Sequence, residues 1–260
     1  MPDTALVTGA GRRLGRAMAL KLAELGYDVA VHYATSSKDA EETVAAIVAM
    51  GRRAVALRAD LLDEDQTAAL VPRAATALGD ALNVLVNNAS IFEYDSLLTA
   101  TRESWDRHIG SNLRAPFVLT QTFAAQAPRA EADAGGEPLA RACVINMIDQ
   151  RVRKPTPEFM TYTIAKAGLW AMTRTTAQAL APHVRVNAIG PGPTMRGGRQ
   201  SAEHFATQRG ATVLRRGADP EDIAAALAYI LSARALTGQL LCIDGGQHLV
   251  WQTLDVVGVE

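Results

Sequence analysis

The sequence has few cysteines, almost no net charge and no long hydrophobic run. Its two cysteines, Cys143 and Cys242, are too few for a disulfide scaffold or a zinc site, so we interpret them as buried thiols in a reducing compartment. The 26 basic and 27 acidic residues leave a net charge of -1, which offers no cationic surface to nucleic acid or to an anionic membrane. No apolar run approaches the roughly 18 residues of a membrane span, and the first residues lack the basic segment of a signal peptide. We therefore expect a soluble, cytoplasmic protein without a metal ion that binds neither nucleic acid nor membrane.

Short apolar strands alternate with amphipathic helices along the chain. We predict strands at 5–7, 28–33, 54–58, 84–87, 143–147, 184–188 and 240–244, and helices at 14–25, 38–50, 63–78, 104–126, 162–181 and 221–232. This alternation indicates a parallel sheet with helices on both faces. Because parallel crossovers are right-handed, we predict an α/β fold with a doubly wound, Rossmann-type sheet of about seven strands. The segments 128–142 and 190–210 lack this periodicity, and we interpret the second as a mobile loop.

The length of the chain suits one large α/β core. With 260 residues and 48% apolar composition, the sequence can bury a sizeable core without a second domain. We predict a single dinucleotide-binding catalytic domain at 1–246 and a C-terminal tail at 247–260. Trp251 in this tail belongs either to the core or to a closure over the site of a neighbouring subunit.

A glycine-rich segment joins the first predicted strand to the first helix. It reads Thr-Gly-Ala-Gly-Arg-Arg-Leu-Gly at 8–15. Glycines at this point let the backbone approach a pyrophosphate, whose charge the free amides of a helix N-terminus stabilise. A tight turn also needs glycine for steric reasons. The position at the first strand–helix junction nevertheless favours a dinucleotide site.

The end of the second predicted strand indicates which dinucleotide is bound. An NAD site normally places a carboxylate there for the ribose hydroxyls, whereas this strand ends in His-Tyr-Ala-Thr-Ser-Ser-Lys at 32–38. Hydroxyls and nearby cations suit a 2′-phosphate, with Arg12, Arg13 and Lys38 as sources of charge. Lys38 is equally consistent with a solvated surface residue. The sequence favours NADP(H) over NAD(H).

Tyr162 and Lys166 are four residues apart, so they share one face of a predicted helix. A nearby ammonium favours the phenolate and lowers the pKa of a tyrosine from about 10 toward working pH. We therefore expect Tyr162 to be a proton donor matched to hydride transfer. This spacing occurs by chance in many helices, and the cofactor turn is what makes the catalytic interpretation the better one.

With these motifs in this order, the sequence resembles the classical short-chain dehydrogenase/reductases from about 5 to 246. The motifs are the turn 8–15, the segments 87–89, 191–192 and 244–246, and the residues Asn112, Tyr162 and Lys166. The resemblance implies that Tyr162 is the acid/base, that Lys166 holds the nicotinamide ribose and that Asn112 anchors a water-linked proton relay. It also implies that Asp60 and Leu61 contact the adenine. The residues that it implies contact the cofactor are Gly9, Arg12, Arg13, Leu14, His32, Tyr33, Ser36, Asp60, Leu61, Asn88, Ala89, Ser90, Pro191 and Gly192.

Two residues depart from the general pattern of this family. Arg13 replaces the usual third glycine of the turn, and Asp149 stands thirteen residues before Tyr162, where the family has its catalytic serine. A serine hydroxyl donates a hydrogen bond to a substrate carbonyl, whereas an ionised carboxylate only accepts. Asp149 would therefore repel the oxyanion of an ordinary ketone reduction. It fits a nitrogen-rich substrate with N–H donors.

Both departures occur in one branch of the family, the pteridine reductases, with the related bacterial dihydromonapterin reductases. The resemblance implies that a pterin ring stacks between the nicotinamide and Phe92. It also implies that Arg13 and Ser90 contact both cofactor phosphate and pterin, while Asp149 and Tyr162 deliver a proton to a ring nitrogen. Each of three residues also has an interpretation without a substrate. Phe92 suits the hydrophobic core almost equally well, Asp149 could cap a turn, and Arg13 could be a surface residue at a helix start.

We expect an NADPH-dependent oxidoreductase that converts a dihydropterin or dihydrofolate to its tetrahydro form, with the substrate open among biopterin, monapterin and folate types. A carbonyl or 3-oxoacyl reductase on the same scaffold is the alternative enzyme. A catalytically idle NADP(H)-binding regulatory protein is the alternative of another class. The resemblance further implies that the helices 104–126 and 162–181 pair subunits into a homotetramer.

Overall fold

A parallel sheet of seven strands forms the centre of the computed structural model, which describes residues 3–198 and 200–252. In chain order the strands are β1 (Thr4–Val7), β2 (Asp28–Tyr33), β3 (Ala54–Arg58), β4 (Val84–Asn87), a hairpin of β5 (Glu131–Ala132) and β6 (Pro138–Leu139), β7 (Ala142–Met147), β8 (Val184–Pro191) and β9 (Leu240–Ile243). The order in the sheet is β3-β2-β1-β4-β7-β8-β9. The prediction of a doubly wound, Rossmann-type α/β fold is confirmed. Arg199 of the predicted loop and residues 253–260 of the predicted tail lie outside the described residues.

Helices cover both faces of this sheet. They are α1 (Arg13–Glu24), α2 (Ser37–Ala49), α3 (Glu64–Leu78), α4 (Arg102–Ile109), α5 (Ala115–Gln126), α6 (Met160–Leu180), α7 (Ala202–Gly210) and α8 (Pro220–Ser232). Within the described ranges, no helix has the length and apolarity that crossing a membrane requires.

The core consists of two apolar layers, one on each face of the sheet. β1, β4 and β7 are buried along their whole length, which explains why they are continuous apolar runs in the sequence. Neighbouring residues of a strand point to opposite faces: Val7 packs with Met18 of α1, whereas Leu6 and Leu85 pack with Phe123 of α5. The sheet is thus held from both sides, and its carboxyl edge is a rigid base for the loops that follow the strands.

The predicted helix 104–126 is wrong as one continuous element. A π-helical turn, Gly110–Arg114, separates α4 from α5. Such a turn carries an extra residue and shifts the helix face that follows it. Apolar residues continue on both sides of the turn, so the hydrophobic pattern gives no sign of the interruption. Asn112 lies within the turn and is fully buried.

The predicted mobile loop 190–210 is wrong in its second half, which forms α7. Ser201 begins this helix, since its Oγ accepts a hydrogen bond from the His204 N–H at 3.0 Å. None of the nine described residues of α7 is buried, so the helix lacks the apolar stripe that reveals a helix in a sequence. The interpretation of Trp251 as a core residue is also wrong, because this side chain is 63% exposed.

Phe123 should be a principal contributor to the stability of the layer under α3 and α5, because it is large and fully buried. We expect Phe123→Ala to lower the free energy of unfolding by about 3–5 kcal/mol, measured by urea denaturation, since the substitution leaves a cavity. Tyr229→Ala on α8 is the matched control, because Tyr229 is an aromatic side chain that is 56% exposed. Equal losses in the two variants would contradict this description of the core.

Candidate active site

The carboxyl ends of four neighbouring strands bring the predicted site residues to one edge of the sheet. The turn 8–15 follows β1, the segment 88–92 follows β4, Asp149 follows β7 and Gly192 follows β8. The chain leaves β1 and β4 toward opposite sides of the sheet, which opens a crevice between them. Residues that are far apart in the sequence therefore meet in one place.

The glycine-rich turn is packed tightly against the loop after β4. Gly9 has a φ of +62°, and a Cβ on Gly15 would lie 2.2 Å from the Gly9 carbonyl oxygen and 2.6 Å from Asn88 Nδ2. Asn88 Nδ2 donates to the Thr8 carbonyl at 2.7 Å, and the amides of Asn88 and Ala89 both donate to Thr8 Oγ1 at 2.9 Å. Only glycine fits at position 15, and the start of α1 is thereby held beside the β4 loop.

The first turn of α1 has the features of an anion site. Its N-cap residue, Arg12, makes no side-chain capping hydrogen bond, and none of the described residues of the first turn is acidic. Free N–H groups and the positive end of the helix dipole favour a negatively charged ligand here. Arg12 is exposed and Leu14 is half-buried at this helix start.

Arg13 connects this turn to the loop after β8. Its φ is +55°, a left-handed conformation that normally favours glycine. Its guanidinium donates to the carbonyl oxygens of Met195 at 3.2 Å and Arg196 at 3.0 Å. Arg13 therefore does more than occupy the surface of a helix start, which was one interpretation of it.

His32 supports the turn from inside the protein. The Gly9 N–H donates to His32 Nδ1 at 3.0 Å, so the ring carries its proton on Nε2 and donates it to the Ala59 carbonyl at 3.1 Å. Burial lowers the pKa of His32 to about 4, so the ring is neutral at physiological pH. Both ring nitrogens are bonded to the main chain, as in a packed residue at the end of a strand, and a contact of His32 with the cofactor stays a prediction.

The other predicted adenosine-side residues lie around the ends of β2 and β3. Tyr33 ends β2 and is half-buried, and Ser36 is the N-cap of α2 but makes no side-chain capping bond. Asp60 is exposed after β3, where its Oδ1 accepts from the Leu62 N–H at 3.0 Å. Leu61 belongs to the core.

Asp149 and Tyr162 form a hydrogen-bonded pair of acids. Tyr162 donates its hydroxyl proton to Asp149 Oδ2 at 2.9 Å, and only 6% of Tyr162 is exposed. The other oxygen, Asp149 Oδ1, accepts from the Arg151 N–H at 2.8 Å and so caps the 3-10 turn that follows. The interpretation of Asp149 as a turn cap is confirmed, and its catalytic role stays a prediction that its bond to Tyr162 supports.

The surroundings raise the pKa values of both acids. Burial raises the pKa of Asp149, although the Arg151 amide, the Arg151 charge and Lys166 oppose this shift. Burial and the adjacent Asp149 carboxylate hold the pKa of Tyr162 well above its ordinary value. The prediction that Lys166 lowers the pKa of Tyr162 is wrong for this geometry, because burial and Asp149 outweigh any effect of the ammonium.

Lys166 ties α6 to the end of β7. Its Nζ donates to the Met147 carbonyl at 2.8 Å and lies 5.7 Å from the centroid of the Tyr162 ring. Burial lowers the pKa of Lys166 to about 8, although Asp149 acts in the opposite direction. Met147 is two residues before Asp149, so this bond also fixes the distance between Asp149 and the helix that carries Tyr162.

Asn112 holds the loop that contains Ser90 and Phe92. Its Nδ2 donates to the Ile91 carbonyl at 2.8 Å, and its Oδ1 accepts from the Ile91 N–H at 2.9 Å. Asp149 and Tyr162 are bonded directly and Lys166 lies beside the Tyr162 ring, whereas Asn112 bonds the loop after β4 from the π-helical turn. Ser90 is exposed, and its hydroxyl donates to the Ile91 carbonyl at 3.3 Å.

Aromatic rings line the space next to the acid pair. Phe92 is 45% exposed, so it is not a core residue, and its ring centroid lies 4.7 Å from that of Tyr162 in an edge-on arrangement. Phe159 stacks on Phe92 at 4.3 Å with an interplanar angle of 11°. The guanidinium of Arg151 lies 5.3 Å from the centre of the Phe159 ring. Sequence reasoning missed Phe159 and Arg151; the only signal was their closeness in sequence to Tyr162 and Asp149.

The segment 191–192 closes the edge of the site at β8. The Gly192 N–H donates to the Ile243 carbonyl at 3.1 Å, and a Cβ on Gly192 would lie 2.6 Å from Asp244 Cβ. Pro191 ends β8 and is half-buried. These contacts fix the start of the loop whose carbonyls bind Arg13.

A family model and several solved structures match almost the whole chain. The family model described as enoyl-(acyl carrier protein) reductase matches residues 9–248. The chain is 38% identical to FolM alternative dihydrofolate reductase 1 from Brucella suis, a crystal structure in complex with NADP, with 98% of each chain covered and a TM-score of 0.90. It is 33% identical to a short chain dehydrogenase from Burkholderia cenocepacia in complex with NADP, with 94% of this chain and 97% of that chain covered and a TM-score of 0.84.

Curated sequences give a second kind of relative. The chain is 34% identical over 257 residues to the 3-oxoacyl-[acyl-carrier-protein] reductase FabG of Staphylococcus aureus, with 96% of this chain and 99% of the relative covered. The similar proteins therefore differ in the substrates that their names give, although they share the whole length of the fold.

The raised pKa of Asp149 predicts a pH-dependent cost to folding. A carboxyl whose pKa is higher in the folded than in the unfolded protein makes the fold less stable as pH rises above the unfolded value of about 4. We expect Asp149→Asn to be more stable than the wild type near neutral pH, with a difference that shrinks toward about pH 4. Urea denaturation at several pH values measures this. The wild type measured at the same pH values is the reference; lower stability of Asp149→Asn at neutral pH would contradict the assignment.

Proposed function

The chain belongs to the short-chain dehydrogenase/reductase family, and from this we propose that it is an NADPH-dependent reductase of a pteridine ring. As a member of the family it is an NAD(P)-dependent oxidoreductase. The proposed reaction converts a dihydropterin or a dihydrofolate to its tetrahydro form. The observation that carries the proposal is the hydrogen bond from Tyr162 to Asp149, at the position where the family pattern has serine.

The cofactor end of the site fits NADP. The solved relatives from Brucella and Burkholderia bind NADP. In this chain the uncapped start of α1 suits a pyrophosphate, and the close packing at Gly15 holds that helix start beside the loop after β4. The end of β2 offers the Ser36 hydroxyl and no carboxylate until Asp39, which suits a 2′-phosphate. We assign cofactor contacts to Gly9, Arg12, Arg13, Leu14, Tyr33, Ser36, Asp60, Leu61, Asn88, Ala89, Ser90, Tyr162, Lys166, Pro191 and Gly192.

NADPH supplies the hydride when it is bound, and the residues of the chain handle the proton. Because the pKa of Asp149 is raised, this carboxyl keeps a proton to higher pH than an exposed aspartate does. Protonated Asp149 donates to a ring nitrogen, and Tyr162, at 2.9 Å, replaces the lost proton and regains its own from water. Ionised Asp149 accepts hydrogen bonds from the N–H groups of a pterin ring. In both states the pair matches a substrate that contains donors and acceptors side by side.

The aromatic rings suit a flat substrate. Phe92 presents an exposed ring beside Tyr162, and offset stacking on such a ring favours a planar heterocycle. Ser90 and Arg13 lie on the neighbouring loop and turn, where they are available to both phosphate and pterin. We propose that Arg13, Ser90, Phe92, Asp149 and Tyr162 bind the substrate.

A carbonyl or 3-oxoacyl reductase is the second candidate. It is favoured by the names of the curated relatives, which describe 3-oxoacyl reductases. An oxyanion develops in that reaction and requires a hydrogen-bond donor. Ionised Asp149 cannot donate, which is why we favour the pteridine ring.

We also propose that the protein is a homotetramer, as its family resemblance implies. A groove between α5 and α6 supports this, because Phe117, Gln121, Met172 and Leu180 line it on the outer surface. Apolar grooves of this kind suit pairing between identical subunits.

Substrate preference tests the proposal directly. We expect the purified protein to oxidise NADPH with dihydrobiopterin, dihydromonapterin or dihydrofolate and to be nearly inactive with ketones and 3-oxoacyl thioesters. Asp149→Ser should lower kcat/KM for the pterins by at least about 100-fold, since it removes a proton donor, and should raise it for ketones. Ketone turnover without pterin turnover in the wild type would overturn the pteridine assignment while leaving the family and the cofactor unaffected.

Tyr162→Phe separates an enzyme from an idle NADP(H)-binding protein. We expect kcat to fall by about 100-fold or more, because the variant lacks the hydroxyl that transfers the proton. NADPH affinity, measured by fluorescence titration, should change little, because the phenyl ring still fills the same space. Full activity in Tyr162→Phe would rule out this tyrosine as the acid.

A further inference from the structure

The helix that carries Tyr162 is capped by a residue from a different part of the chain. Its N-cap residue, Phe159, has a φ of +55° and makes no side-chain capping bond. Asp95, in the loop after β4, takes that role: its Oδ1 accepts from the Thr161 N–H at 3.1 Å, and its backbone carbonyl accepts from the Phe159 N–H at 2.8 Å. Asp95 is 2% exposed. The start of α6 is therefore fixed by the β4 loop.

A buried histidine continues this connection and has only one consistent proton arrangement. His108 of α4 is fully buried, and its Nε2 lies 3.1 Å from the Glu93 N. A backbone N–H only donates, so Nε2 is unprotonated and the neutral ring carries its proton on Nδ1. Nδ1 donates to Thr161 Oγ1 at 2.7 Å, and the Thr161 hydroxyl in turn donates to Asp95 Oδ2. The direction of each of these bonds follows from this one tautomer.

The charge states agree with this arrangement. Burial raises the pKa of Asp95, but hydrogen bonds from Thr161 and Ser104 outweigh it and bring the value below the ordinary one, so the carboxyl is ionised and only accepts. Burial lowers the pKa of His108, so the ring is neutral. The neutral His108 ring accepts from the Glu93 N–H and donates to the Thr161 hydroxyl, so both of its buried nitrogens have hydrogen-bond partners.

The bonded residues are sequence neighbours of the two proposed ligand-contacting residues. Glu93 follows Phe92, and Thr161 precedes Tyr162. This link joins the loop after β4 to the start of α6 in addition to the contacts of the aromatic rings and the capping bonds of Asp95. Because the neighbours of Phe92 and Tyr162 are joined through His108, the edge-on contact of the two rings, at 4.7 Å, is fixed.

We propose that Asp95, His108 and Thr161 are positioning residues that hold the Phe92 ring and the Tyr162 hydroxyl in one fixed arrangement. The proposal rests on the proposed function in that Phe92 is the surface for the substrate ring. None of the three needs to touch the substrate, since each acts through its neighbour. A displacement of about 1 Å in such an arrangement is enough to reduce the rate about 100-fold.

Two substitutions at Thr161 test this. Thr161→Val keeps the shape of the side chain but removes the hydroxyl, and Thr161→Ser keeps the hydroxyl. We expect Thr161→Val to lower kcat between about 10- and 100-fold with NADPH affinity unchanged, and Thr161→Ser to retain most of the wild-type kcat. Thr4→Val is the control: Thr4 is equally buried, and its hydroxyl bonds to the Ala81 carbonyl at the opposite edge of the sheet. Wild-type kcat in Thr161→Val, or equal losses in the Val and Ser variants, would overturn the proposal.

The test is independent of whether the pteridine assignment is correct. If the wild type reduces ketones and not pterins, the proposed function fails, but the same loss of kcat is expected with the ketone, because proton transfer passes through the Tyr162 hydroxyl in both reactions. If Thr161→Val does not fold, the nitrogen-15 NMR spectrum of wild-type His108, assigned by comparison with His108→Gln, decides. A proton on Nδ1 and a bare Nε2 support the network, and the opposite tautomer overturns it.

Discussion

The arrangement of the site depends on one hydrogen bond between two groups that both tend to hold their protons. Tyr162 and Asp149 come from α6 and from the end of β7, and they meet at 2.9 Å in a part-buried position. Lys166 maintains that distance from the other side, because its bond to Met147 joins the same helix to the same strand. If either element moved, the pair would separate. The rigid sheet beneath and the capping of α6 by Asp95 are therefore conditions for the chemistry as well as for the fold.

The residue at position 149 separates the proposed substrate from those named for most curated relatives. Identity of about a third along the whole chain shows the family, but one fold serves many substrates. Substrate choice depends on a few side chains at the carboxyl edge. There, a carboxyl that accepts or donates according to its protonation state recognises different atoms from a serine hydroxyl. Asp149 therefore carries more information about the reaction than overall similarity does.

Much of the fold was predictable from the sequence, because strands buried on both faces must be continuous apolar runs. The acid pair was also predictable, from spacing and from resemblance. Three features were not. α7 buries none of its described residues and so leaves no pattern; the π-turn at Asn112 interrupts a helix without interrupting its apolar residues; and the pKa of Tyr162 depends on which charges surround it in space. The hydrogen bond between His108 and Thr161 joins residues 53 apart in the sequence, and no local sequence pattern predicts it.

Local strain in the described residues is concentrated at the same place. Arg13, Phe159 and Arg215 have left-handed φ values without being glycine, and two of these three border the site. Arg13 bonds the loop after β8, and Phe159 stacks on Phe92. Such conformations persist only where surrounding contacts determine them. Glycine at either position would relieve the strain, but it could not make these side-chain contacts. Contacts that fix Arg13 and Phe159 in this way suit the proposed binding of a flat ring next to the proton donor.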